Sequence, residues 1–428
     1  MGPRSDAVFA VGSHDVVGPH REISIVLADT PEHSAALPPG IAAVTLTSVA
    51  PLLAVPALDV TAVNPIGWKR AHDPPLKPSG QPAAATARST SDMRRAHHVP
   101  DWTHSDADPA VRAGELVSAA AVGAVVCVKG ESTELESCLG TELYGLMSDA
   151  GRIKSADTDE REALSISMRR AALRDHSREA RARQVLAAAG LGKTHLPLVS
   201  VLVPTRRPDR MSAVINSVAA QTYPHVEVVL GLHGSEFERT STEAQLGRLQ
   251  CPAQAIDVAA DRSLGEVLNT ALAVAAGEMI AKFDDDDLYG PLHLWDLVLA
   301  AGYSEAAMVG KVSEYVYLAG ANRTIRRFVD LGERFINPDR SSVAGGAVLV
   351  KREALDTIGG WRAMSVGEDK ALTRDIAASG GSVYRTHGSG YLLVRHGVEH
   401  TWEADDSYFL EQAHESRDGC DLCFAGVN

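Results

Sequence analysis

The chain has 428 residues, of which 45% are hydrophobic and 22% charged, enough apolar material for two or three folded domains. Its formal charge of −14 at pH 7 argues against a grip on nucleic acid built on phosphate neutralisation, so no nucleic-acid partner is expected. Five cysteines, Cys127, Cys138, Cys251, Cys420 and Cys423, are odd in number and scattered, which argues against a disulfide framework.

The opening MGPRSDAVFAVGSHDVV lacks the apolar core of a signal peptide, and later apolar stretches are broken before they reach membrane-spanning length. A cytoplasmic protein is expected. Residues 1–20 read as disordered, and residues 21–157 as an α/β domain of unassigned role. Ile23, Ile25 and Val26 cluster β-branched side chains and predict a buried strand over residues 22–30. Pro51 and Pro56 break the apolar run 42–63 into short strands and turns. Residues 74–90, rich in Pro, Ser, Ala and Thr, read as a linker. A strand follows at 122–128, then an amphipathic helix at 134–147 weakened by Gly140 and Gly145. Residues 158–190 carry Ala, Leu, Arg and Glu at helical spacing up to Gly190, which makes 158–195 a helical connector.

After Pro197 the pattern becomes regular: strand 198–205, helix 210–221, strand 226–232, a strand around 254–258, helix 264–276 and strand 279–283. Strands alternating with helices predict a mostly parallel sheet covered on both faces, with ligands at the carboxyl ends of its strands. Residues 401–428 read as a tail. Its Cys420 and Cys423, even with His414, fall short of the four ligands a structural zinc needs.

Asp284, Asp285, Asp286 and Asp287 directly follow the predicted strand 279–283. Four adjacent carboxylates repel one another, so a strand end is a costly place for them unless a cation or hydrogen-bond donors compensate. Hard cations such as Mg²⁺ or Mn²⁺ take oxygen ligands and share them with substrate phosphates, which suits a nucleotide diphosphate bridged to the protein through metal. A second acidic pair, Glu368 and Asp369, precedes a predicted helix at 370–378. A carboxylate there can act as a general base, although acids in a first helical turn also simply complement the helix dipole.

In order, VSVLVPT, LNTALAVAAGEMIAKFDDDDLYGP, AGGAVLVKREALDTIGGW, GED and YLLVRHG resemble the family 2 glycosyltransferases of GT-A fold, over residues 196–400. The resemblance implies an α/β domain with a mixed, mostly parallel sheet flanked by helices. It implies an inverting, metal-dependent transfer of a sugar from a nucleotide-diphosphate-sugar donor to an acceptor hydroxyl. It assigns Asp286 as direct metal ligand, Asp284 to metal and nucleotide ribose, and Thr205 and Arg206 to the nucleotide. Asp369 becomes the catalytic base, with Glu368 beside it near acceptor or donor sugar. Asn269 falls where the family often has Asn, as a nucleotide-site or packing residue. His396 matches a late histidine that completes the metal shell in some relatives, with His387 and His400 as rivals. Trp361 reads as a sugar-stacking platform or as loop packing. The implied cofactor is Mn²⁺ or Mg²⁺, and the acceptor a glycan, a lipid-linked molecule or a small molecule. Peripheral membrane contact and a homo-oligomer are both compatible with that reading.

One departure stands out. Leu232 and His233 lie where the family's second strand commonly ends in an acidic pair, so the resemblance does not extend to the identity of the nucleotide base. Two other readings stay open: a non-catalytic nucleotide- or glycan-binding module, suggested by that departure, and a sugar nucleotidyltransferase, since related α/β folds use acidic residues and metal to make sugar nucleotides. The second would need a Gly-rich phosphate loop that PTRRPDR does not provide.

Overall fold

Val226–His233 is buried along its whole length, because VEVVLGLH is a nearly continuous apolar run of the kind that forms a strand covered on both faces. The computed structural model of the chain describes residues 9–11, 23–28, 43–45, 55–60, 90–103, 107–188, 196–234, 236–329, 331–396 and 405–427. It divides into two units, Met1–Val63 with Ala71–Leu196, and Asn64–Arg70 with Pro197–Asn428.

In the second unit four strands lie parallel in the order Ala253–Val258, Val226–His233, Val199–Thr205 and Met279–Lys282. Val348–Lys351 then pairs antiparallel with Met279–Lys282, and Met308–Gly310, Val383–Arg385 and Arg334–Phe335 complete an eight-stranded mixed sheet. The antiparallel register sets Val348 opposite Lys282. Residues just before Val348 are thereby carried alongside residues just after Lys282, which positions the site. Helix Leu264–Val274 opens on a capping box between Ser263 and Glu266. Its Leu268 and Leu272 pack with Leu202, Val229, Ile280, Val350, Trp361, Leu372 and Ile376 in one core. Every strand and helix expected between residues 198 and 283 is present, with ends shifted by a residue or two.

A second sheet of five strands runs Leu288–Tyr289, Tyr391–Arg395, Tyr315–Leu318, Arg323–Arg326 and Glu415–Asp418. Its last strand lies in the stretch read from sequence as a tail, and pairs antiparallel with Arg323–Arg326. Phe409 is buried against Val316, Leu318 and Ile325. ESRD has no apolar alternation, so nothing local announces that strand.

In the first unit Phe9–Val11, which falls in the stretch read as disordered, pairs antiparallel with Ile23–Ala28, and Ala43–Thr45 adds in parallel. The strand expected at 122–128 shortens to Val126–Cys127, because the unanticipated helix Pro109–Ala121, capped by Asp108, reaches to Val122. The helix expected at 134–147 splits at Gly140, whose φ of 80° suits only glycine, into Thr133–Leu139 and Thr141–Ser148. Thr158–His176 and Arg178–Ala188 form two helices. Leu164, Met168, Ala172 and Leu173 of the first are buried, and it packs on Pro109–Ala121, so this stretch belongs to the body of its unit. Residues 74–89 lie outside the described residues. Among the described residues no helix is long and apolar enough to cross a membrane.

Candidate active site

The acid run leaves the carboxyl end of Met279–Lys282, and its members have separate partners. Asp284 accepts from Lys282 Nζ at 2.7 Å, and its backbone N–H donates to Tyr289 Oη at 2.7 Å. Asp285 is buried and accepts from Thr205 Oγ1 at 2.6 Å and from Arg207 Nε at 3.2 Å. Asp286 accepts from Arg207 Nη2 at 2.9 Å. Asp287 is buried and accepts from Tyr391 Oη at 2.6 Å and from the Val394 N–H at 3.0 Å. Burial, then the charges of Asp286 and Asp284, push the Asp287 carboxyl well above the usual carboxylate range. Burial likewise raises Asp285, against the pull of Thr205 and Arg207.

The second acidic pair arrives on helix Glu368–Ala378, which starts after Gly367 in a left-handed conformation. Glu368 is buried and stands 3.5 Å from Lys282 Nζ. Burial raises its carboxyl and the Lys282 charge draws it back. Lys282 itself, desolvated by complete burial, is nevertheless held charged by Asp284, Glu368 and Asp369. Asp369 is half-buried, with Oδ1 accepting from the Lys370 N–H at 2.7 Å.

Gly345 and Gly346 lie between the two motifs. A Cβ on Gly345 would come 2.8 Å from Asp369 Oδ2, and one on Gly346 would come 2.6 Å from Asp284 Oδ2 and 2.9 Å from Asp287 Oδ2. A side chain at either position would have to displace a carboxylate. Two segments far apart in sequence thus meet at one pair of glycines, delivered there by the antiparallel Val348–Lys351 strand.

The other expected site residues distribute as follows. Thr205 reaches the acid run through Asp285. Arg206 turns instead to His233: its Nε donates to Nδ1 at 2.8 Å, the one bond a neutral imidazole accepts, and its Nη2 stands 3.0 Å from Nε2. Burial, then Arg206, lowers the His233 pKa. Asn269 spends both ends of its amide on Trp361, donating to its carbonyl at 2.7 Å and accepting from its N–H at 2.8 Å. Trp361 is buried in the core, so its ring packs and is not an open platform. His396 follows the strand that Asp287 anchors. Its pKa is lowered by burial first and then by Arg210, with Asp286 pulling the other way, which places it in electrostatic range of the acids. His387 lies elsewhere, buried 3.6 Å from Asp296, and His400 is outside the described residues. Sequence reasoning did not single out Arg207, Lys282, Gly345, Gly346 or Tyr391. A charged residue ending an apolar strand (MIAK) and the doubled glycine before VLV were the available signals.

Among the described residues no group of three or more His, Cys, Asp or Glu side chains is close enough to hold a metal alone. Mg²⁺ and Mn²⁺ often take only one or two carboxylates and complete their shell with water and substrate phosphate. Asp284 and Asp286 offer oxygen donors of the kind such an ion takes, and each is already in contact with a cationic side chain, Lys282 and Arg207 respectively.

The profile described as glycosyltransferase-like family 2 matches residues 197–412, just over half the chain. A glycosyltransferase of Nostoc sp. (strain PCC 7120 / SAG 25.82 / UTEX 2576) is 29% identical over 134 residues, a match spanning 31% of this chain and 40% of that relative. Among solved structures, a mannosyltransferase from Pyrobaculum calidifontis in complex with GDP-Man and Mn²⁺ is similar at 19% identity and a TM-score of 0.36, over 48% of this chain and 59% of that one. S. aureus TarS in complex with UDP-GlcNAc is similar at 17% identity and a TM-score of 0.41, over 50% and 64%. On the profile match, which falls within the α/β unit that carries both acidic motifs, the chain belongs to the glycosyltransferase-like family 2.

Proposed function

We propose that the second unit transfers a sugar from a nucleotide-diphosphate-sugar donor to an acceptor hydroxyl, with inversion at the anomeric carbon. The observation that carries this reading is the meeting of Asp284 and Asp369 at Gly345 and Gly346. A donor-side carboxylate and a candidate base on one small surface suit a single in-line displacement with no covalent intermediate.

Asp369, half-buried, takes the acceptor proton as that oxygen attacks. Glu368, buried against Lys282, keeps its charge compensated and holds the first turn of its helix against the acid run. Asp284 and Asp286, with His396 in electrostatic range of Asp286, would hold Mn²⁺ or Mg²⁺ together with water and substrate phosphate, and the ion when bound would offset the negative charge of the departing diphosphate. Thr205 fixes Asp285 and so the path of the chain past the nucleotide. Arg206 with His233, at the ends of two neighbouring parallel strands, faces the place where open α/β sheets take their ligands.

The test is nucleotide release from a panel of nucleotide-diphosphate sugars, with glycan, lipid-linked and small acceptors. Asp369→Asn is expected to lower turnover on the order of 10²–10⁴-fold while donor binding persists. Turnover equal to the unsubstituted enzyme would remove Asp369 as the base.

A further inference from the structure

Arg207 has no part in the transfer described above, yet its guanidinium holds the acid run. It donates through Nε to Asp285 Oδ2 at 3.2 Å, and through Nη2 to Asp285 Oδ1 and to Asp286 Oδ2 at 2.9 Å. Its side chain is 27% exposed, whereas those of Asp285 and Asp286 are 5% and 13% exposed. Burial works against the charge, but the two carboxylates outweigh it and the guanidinium stays protonated. A fixed cation therefore lies on the carboxylate that the proposed reaction gives to a divalent ion. Like charges at one partly buried carboxylate repel strongly, so the two cations exclude each other.

The backbone at Arg207 is anchored, since its N–H donates to Thr205 Oγ1 at 3.1 Å. Displacement thus moves the side chain and leaves the loop in place. A guanidinium freed beside the acid run is a planar, five-donor group matched to phosphate oxygens. Asp285 keeps its bond from Thr205 when the arginine leaves, which limits the cost of the exchange.

We propose that Arg207 is a resident counter-cation of Asp285 and Asp286, that a divalent ion displaces it from Asp286, and that the displaced guanidinium then binds the donor's diphosphate. This rests on the metal-dependent transferase reading. Its consequence is reciprocal coupling: metal and diphosphate each bind more tightly in the presence of the other.

The test is Mn²⁺ binding to the full chain by calorimetry and by the electron paramagnetic resonance of free Mn²⁺, with and without a nucleoside diphosphate. Without nucleotide, Arg207→Gln is expected to bind Mn²⁺ about tenfold more tightly than the unsubstituted chain. With nucleoside diphosphate, the same variant is expected to lose about tenfold of the enhancement. Asp286→Asn is expected to weaken Mn²⁺ binding in both conditions. If Asp286→Asn weakens the metal but Arg207→Gln binds it no more tightly, the exchange is wrong and the transferase reading stands. If Asp286→Asn binds Mn²⁺ as the unsubstituted chain does, the metal site and the exchange fall together. Should Arg207→Gln fail to fold around its uncompensated carboxylates, Arg207→Lys carries the test. It keeps the charge but lacks the two-pronged donor set, so the enhancement by diphosphate should fall, and an unchanged enhancement overturns the proposal.

Discussion

Asp284 and Glu368 share one buried ammonium, that of Lys282, at 2.7 Å and 3.5 Å. Each acid belongs to a different sequence motif, so Lys282 is the physical tie between them. Removing it leaves a buried carboxylate uncompensated, which typically costs about 3–5 kcal/mol. Lys282→Met is expected to lose stability of that order in denaturant unfolding, and adding Glu368→Gln should restore part of it. A double variant no more stable than Lys282→Met would mean that Glu368 is not the partner left exposed to the loss.

Gly346→Ala tests the close approach at the centre of the site. Its Cβ would lie 2.6 Å from Asp284 Oδ2, so the carboxylate must move. The expected cost is about 1–3 kcal/mol of stability, with a larger effect on turnover because Asp284 is displaced. Gly345→Ala should act through Asp369 instead, lowering turnover while donor binding is kept. Equal effects of the two substitutions on donor affinity, measured by calorimetry, would contradict this division.

Asn269→Ala is expected to destabilise the chain by about 1–3 kcal/mol, since the Trp361 N–H and carbonyl would lose the partner to which both are bonded. Donor affinity should change little. A large loss of donor binding with unaltered thermal unfolding would return Asn269 to the nucleotide site.

His293 gives a pH dependence with a defined sign. Its ring is fully buried among Phe283, Tyr289 and Tyr391, and burial first, then Lys311, lowers its pKa well below the ordinary 6.5. The folded chain therefore binds fewer protons there than the unfolded chain, so the contribution to stability is complete above pH 6.5 and is lost as pH falls below it. His293→Phe should flatten the fall in melting temperature between pH 7 and pH 5. An unaltered slope would place the acid sensitivity in other groups.

A melting-temperature screen over nucleotide diphosphates and their sugars, with Mn²⁺, Mg²⁺ or EDTA, identifies the donor without knowledge of the acceptor. A ligand at a hundredfold excess over its Kd stabilises the native state by about 2.7 kcal/mol. The expected result is a metal-dependent rise with one nucleotide, lost in Asp286→Ala. A rise indifferent to EDTA would assign the diphosphate to protein groups alone.

The α/β character of residues 198–283 is legible in VSVLVPT, VEVVLGLH and MIAK, apolar runs whose period and length leave few alternatives. Asp284–Asp287 also stands out, since carboxylates crowded at a strand end are chemically conspicuous, whereas Glu368 and Asp369, at a helix start where acids are ordinary, gain their meaning from the family resemblance. Which carboxylate has which partner follows from contacts between segments distant in the chain. Val348–Lys351 enters the sheet antiparallel, and that register brings Gly345 and Gly346 between Asp284 and Asp369. Nothing in the local sequence fixes that pairing, because strand order is set by long-range contacts. For the same reason ESRD near the C-terminus became a strand, Asn269 a clamp on Trp361, and Arg207, one of several arginines in PTRRPDR, the cation on Asp286. Residue type announces that charge must be compensated, and only the folded chain determines by which group.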